Sequence, residues 1–360
     1  MCTFTEYSDD CNQPLSAAVL LAAMKSLGAA TASIVHRSTR LRLEAIQHYS
    51  ASVAKVNDGL TSPEIAQSDS MLQAIMVLSC FDVIVRGTAL APLNLSSHIH
   101  GLAALLDIRG KNQLRTAQGR MLFLQATVPL FSWSLRNACP MPDIVQSLTG
   151  LAEPHFTKAS GQDLAFAAHK FRMAIANFYS DIVRDRQVDF VGSVRRLMLL
   201  DGEIALIIGN SLVENNYLLP YVPPEKDTNT HTTTVQNFQE GAAYQSFRAY
   251  SIIIHLMNIN LVHQNLASSL PCTTIDATAT LKSSKIMIER QQNAILATLP
   301  RLIAYVVENR SSDLSTTDAN GMRLLAPPLG ISHADSTAAM IALVTSLTGN
   351  KILMKNRMPD

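Results

Sequence analysis

The sequence predicts an all-α protein: a large, irregular multi-helix domain built round a buried central helix. Three observations predict it. Apolar residues recur at three- and four-residue spacing through nearly every long segment. Capping Ser, Thr and Asp residues, with Pro and Gly in the gaps, punctuate the same segments as helices are punctuated. Alternating apolar and polar runs and Asn-Gly hairpin turns are almost missing. Apolar residues make up 48% of the 360 positions and charged residues only 16%, against roughly 25% in ordinary domains. Such a chain can bury enough surface to offset the entropy of ordering it.

The elements follow in order. A first helix is expected over 15–36 and a second over 39–60, where Leu43, Ile46, Ala54 and Val56 would supply apolar contacts. Ser62-Pro63-Glu64 starts the next helix, with a capping hydroxyl, proline at the first helical position and an acid at the positive end of the dipole. Ser68 or Ser70 then caps a long helix over 71–86. Only Gln73, Ser79, Asp82 and Arg86 interrupt its apolar surface, so it should be the central helix, and Asp82 and Arg86 stand four apart, where they can pair. Further helices are expected over 97–108, 114–138, 161–186, 190–215, 234–269, 276–308 and 336–347, with Gly110, Pro140, Pro142 and Pro271 between them. The polar stretch 218–232 contains Pro223-Pro224. It is either a surface loop within one domain of 1–360 or the joint between packed halves of about 1–217 and 233–360. No internal repeat of constant period is found.

Composition narrows the function classes. With 29 Lys and Arg against 28 Asp and Glu, the net charge of +1 gives no field to attract nucleic acid or an anionic membrane. The apolar run over 17–24 stops at Lys25, so no membrane-crossing helix is expected. The acidic first residues lack a secretory pattern, and an intracellular location, nuclear or cytoplasmic, is expected. The five cysteines, Cys2, Cys11, Cys80, Cys139 and Cys272, are too scattered for a Cys-x-x-Cys metal site and read as reduced thiols, Cys80 as a core filler. Phosphate-binding glycine loops, His-Glu-x-x-His and Gly-x-Ser-x-Gly are all missing.

The most informative stretch runs from Ser97-His98-Ile99-His100-Gly101 through Leu105-Leu106-Asp107-Ile108-Arg109-Gly110, after an apolar helix that ends at Gly87. It resembles the regulatory, or middle homology, helical domain of fungal-specific transcription factors, with His98, Gly101, Leu105, Leu106, Arg109 and Gly110 at the matching positions. Gly101 would let helices approach closely, and Gly110 would end a helix in the left-handed conformation. His98 and Arg109 would satisfy buried carbonyls and helix ends. The likeness continues through 119–123, 135–136, 140–142, 200–204 and 219–221, and through Tyr244-Gln245-Ser246-Phe247-Arg248, so that it spans roughly 40–347. It implies a regulator of transcription. The family reads DNA with a binuclear zinc cluster of six closely spaced cysteines beside basic residues, which five scattered cysteines cannot build. The expectation is therefore action through a protein partner or a small-molecule effector, without cofactor, membrane or direct DNA contact by this chain alone. A homodimer is compatible with it.

A second class is an enzyme of secondary metabolism. Asn177, Asp181 and Asp185 recur every fourth residue and line one helix face, three oxygen ligands suited to Mg²⁺, with Arg184 and Arg186 placed to meet a diphosphate. This is similar to one metal-binding helix of the all-α terpene cyclases. No Asp-Asp-x-x-Asp partner accompanies it, and Asp82 would have to take that part. The plainer expectation is a solvated face with its acids balanced by arginines. His255, Asn258 and His263 form another polar trace, read as satisfied interior histidines or as part of a metal site, beside the core aromatics Tyr244, Phe247 and Tyr250.

Overall fold

The computed structural model describes residues 15–86, 95–156, 163–184, 189–214, 230–267 and 276–313. Among the described residues every regular element is helical, so the fold class is all-α. The α-helices are α1 (Leu15–Val35), α2 (Thr39–Leu60), α3 (Pro63–Ala66), α4 (Asp69–Arg86), α5 (Leu95–Arg109), α6 (Ala117–Asn137), α7 (Asp143–Ala152), α8 (Asp163–Arg184), α9 (Phe190–Glu214), α10 (Thr230–Ala267) and α11 (Ala277–Asp313). The expected helix at 336–347, residues 218–229 of the polar stretch, and Cys2, Cys11 and Cys272 lie outside the described residues.

Local chemistry accounts for the boundaries. Ser38, Ser62 and Ser68 each accept a backbone N–H three residues on, from Leu41, Ile65 and Met71, and so start α2, α3 and α4. Gly110, with φ of +50°, lets the chain leave α5 into a 3₁₀ turn at Gly110–Leu114. One helix was not expected. After Pro140-Met141-Pro142 the carbonyl of Pro142 accepts from Val145 and Gln146, and α7 buries Val145, Leu148 and Ala152.

The chain divides into two compact units. The first runs up to Trp133 and includes Pro142–Ala152; the second holds Ser134–Met141 and the chain from Glu153 on. In the first, α4 packs against α1, α2, α3 and α5, and Met71, Leu72, Leu78 and Phe81 are buried. Tyr49 of α2 stacks on Phe81 with ring centroids 4.4 Å apart, and His100 meets Trp133 edge to face at 5.6 Å. In the second, α10 packs against α8, α9 and α11, with Phe247, Tyr250, Ile252 and Ile254 buried along it.

One expectation needs correction here. Leu43, Ile46 and Ala54 of α2 are exposed, and only Val56 of the four is buried; the inward face is Ala45, Ser52, Val56 and Gly59, small residues that let α1 lie close. Residues Ser16–Ile34 of α1 are long and apolar enough, by length and composition, to cross a membrane. Lys25 interrupts the apolar run without making the helix polar as a whole. Val19, Ala23 and Ala30 of the same helix are fully buried where α1 packs on α2 and α4.

Candidate functional site

The first unit carries a polar joint between α2, α4 and α5. His98 Nε2 lies 2.5 Å from the Tyr49 hydroxyl and 3.5 Å from Oδ2 of Asp82, whose side chain is fully buried. His98 therefore meets a phenol and a carboxylate. The side chain of Arg86, the expected partner of Asp82, lies outside the described residues. Arg109, buried at the end of α5, donates through Nη1 to the Gln67 carbonyl at 2.6 Å and through Nη2 to Oδ1 of Asp69 at 2.5 Å. It clamps the α3–α4 junction to α5. Leu105 and Leu106 are buried beside it.

The turn after α5 is held from within. Gln113 donates to the carbonyls of Leu106 and Gly110 at 3.0 and 2.9 Å, which satisfies the end of α5. Thr116 Oγ1 then accepts the Gly119 N–H at 3.0 Å and starts α6. Gly101 is not where the helices come closest: a Cβ there would stand 3.9 Å from Ile75 Cδ1, an ordinary contact. The position that does need glycine is Gly119, where a Cβ would overlap the Gln113 carbonyl.

The second unit holds a buried chain of hydrogen bonds across α9, α10 and α11. Ser251 Oγ donates to Oδ1 of Asp201 at 2.5 Å, His255 Nε2 lies 3.2 Å from Oδ2 of Asp201, and His255 Nδ1 lies 3.2 Å from Ser284 Oγ. Burial pushes the Asp201 carboxyl up, but the hydrogen bonds from His255 and Ser251 and the nearby imidazole outweigh it and hold the group below the usual aspartate range. The order serine, imidazole, carboxylate is that of a nucleophilic triad. Yet His255 is 0% and Ser284 1% exposed, so neither presents an atom to a substrate. The cluster works as a three-helix joint.

The other polar positions disperse. Asn258 is buried with its amide nitrogen 3.3 Å from Met198 Sδ, whereas His263 is exposed, so the trace from His255 to His263 forms no single site. Tyr244 is half-buried, and Phe247 and Tyr250 pack edge to face in the core. Asn177 Oδ1 accepts the Met141 N–H at 2.9 Å, Asp181 is exposed, and Asp185 and Arg186 lie outside the described residues. Asn177 is thus engaged with the 134–141 segment. Among the described residues no three His, Cys, Asp or Glu side chains come together around a metal position. Arg248 is buried on α10, and Cys80 and Cys139 are half-buried and form no disulfide.

Spacing alone pointed to His255 but not to its partners, since Asp201 and Ser284 lie 54 and 29 residues away. The available signal was a serine and a histidine four apart, Ser251 and His255, in an otherwise apolar stretch of α10. Comparison of the chain with protein-family models, curated proteins and solved structures finds no match.

Proposed function

We propose that this chain is a helical regulatory domain of the kind found in fungal-specific transcription factors. It works in the nucleus through a protein partner or a small-molecule effector and makes no DNA contact of its own. The observation that supports this reading is the use made of the stretch from His98 to Gly110. Its polar residues are spent on joining helices, with His98 on Tyr49 and Asp82, Arg109 on Gln67 and Asp69, and Gly110 at the turn. A domain whose motif residues lock helices together transmits a binding event through a rigid frame, which is the task of a regulatory module. The balanced charge supports the lack of direct DNA contact.

The test is a fusion of the full chain to a heterologous DNA-binding module, read by a reporter in yeast. The expected result is a several-fold change in reporter output relative to the module alone, diminished by Arg109→Met. A fusion that is expressed, folded and nuclear but leaves the reporter unchanged would overturn the proposal. Tight, competitor-resistant binding of duplex DNA by the isolated chain would overturn the part that denies DNA contact.

A further inference from the structure

In the second unit, the contact between His255 and Ser284 sets α10 and α11 side by side. The two long helices follow one another in the chain and pack together, so residues before His255 face residues after Ser284. Arg248 stands two turns before His255 and Arg290 nearly two turns after Ser284, which places the two positions at a similar level of the helix pair. Their charges act on one another: burial first, and then Arg290, weaken the hold of Arg248 on its proton.

Arg248 is only 7% exposed, and its Nε is buried with no hydrogen-bond partner. Among the described residues no carboxylate pairs with it or with Arg290. Asp201 is engaged by Ser251 and His255. Gln245, one turn before Arg248 on the same face, is buried as well. A guanidinium cannot escape burial by losing its proton, as lysine can, so an enclosed arginine without a counter-charge is costly. A second arginine raises that cost. An anion removes both penalties, and the planar fork of a guanidinium matches two oxygens of one acid group.

We infer that Arg248 and Arg290, with Gln245 beside them, form a binding site for the carboxylate or phosphate group of a small anionic effector. The inference rests on the regulatory reading above and supplies the chemistry of what that domain responds to. Arg248 anchors the oxyanion from inside; Arg290, exposed on α11, draws it in from solvent and supplies the second charge.

The test uses the full chain in thermal denaturation and titration calorimetry at constant ionic strength, with sodium phosphate and sodium benzoate as probes and sodium chloride as reference. One of the two probes should raise the unfolding temperature in a saturable way that chloride does not, and which one does distinguishes a phosphate from a carboxylate effector. Arg290→Gln, at an exposed position, should weaken that probe roughly tenfold, as expected for one partly solvated charge pair. Arg248→Met should abolish the response while raising the unfolding temperature of the anion-free protein, the opposite of what loss of a purely structural arginine would do. No response beyond chloride, or a response that survives Arg290→Gln at full strength, would overturn the site. An anion response with a silent reporter would remove the regulatory reading and leave the site standing. A working reporter with no anion response would remove the site alone.

Discussion

Two glycines in neighbouring helices should respond to the same substitution with opposite signs. Gly101 lies within α5 and Gly119 at the third position of α6. At Gly101 an alanine Cβ would sit 3.9 Å from Ile75 Cδ1, so it adds contact without overlap. It also removes the entropic weakness of glycine inside a helix, and Gly101→Ala should stabilise the protein by about 0.5–1 kcal/mol. At Gly119 the same Cβ would overlap the carbonyl oxygen of Gln113, a backbone atom that no rotamer change can move. The start of α6 must shift, which endangers the 3.0 Å cap from Gly119 N–H to Thr116 Oγ1. Overpacking costs about 1–3 kcal/mol and a lost cap about 1 kcal/mol, so Gly119→Ala should cost about 2–4 kcal/mol. Urea unfolding followed by far-ultraviolet circular dichroism measures both midpoints. If Gly101→Ala lost more than about 1 kcal/mol, or Gly119→Ala changed nothing, the reasoning from Cβ space would be refuted.

Two further outcomes are expected. Arg109→Met should destabilise by about 1.5–3 kcal/mol, because the clamp on Gln67 and Asp69 is charge-assisted and its guanidinium is buried, although Asp69 is partly exposed; a chemical-denaturation midpoint equal to that of the unchanged protein would count against the clamp. Stability should fall with acid in two stages. Burial and the Arg172 charge hold His169 well below the ordinary histidine range, so the unfolded chain takes up a proton first. The loss therefore begins near pH 6.5, with a slope of up to about 1.4 kcal/mol per pH unit. Asp201 is held low instead, so its contribution is present above the ordinary aspartate range and is lost only as the pH falls through its folded value. Denaturation midpoints measured across pH should lose the first stage in His169→Gln and the second in Asp201→Asn.

Local rules served well where the governing interaction was local. The bounds of α2 and the caps at Ser62 and Ser68 were legible because a hydroxyl reaching an amide three residues away leaves a mark in spacing. The inward face of α2 was misread because large apolar residues attract attention, while here Ala45, Ser52 and Gly59 are buried since they are small. α7 was missed because Pro140 and Pro142 read as an exit, although a proline carbonyl can start a helix. The Asp201, His255 and Ser284 joint was out of reach for another reason. Its members are brought together by tertiary packing of three helices, and nothing in their separations along the chain encodes that.

The chain has a single tryptophan, Trp133, and it belongs to the first unit, against His100. Its emission reports on the surroundings of His100 in the first unit, whereas the dichroism of so helical a chain sums over both. Followed together in one titration, the two optical signals would coincide if the units melt as one cooperative block and separate if they do not. The placement of one indole thus turns an ordinary denaturation curve into a measure of coupling between two halves of a molecule, without a label or a cut.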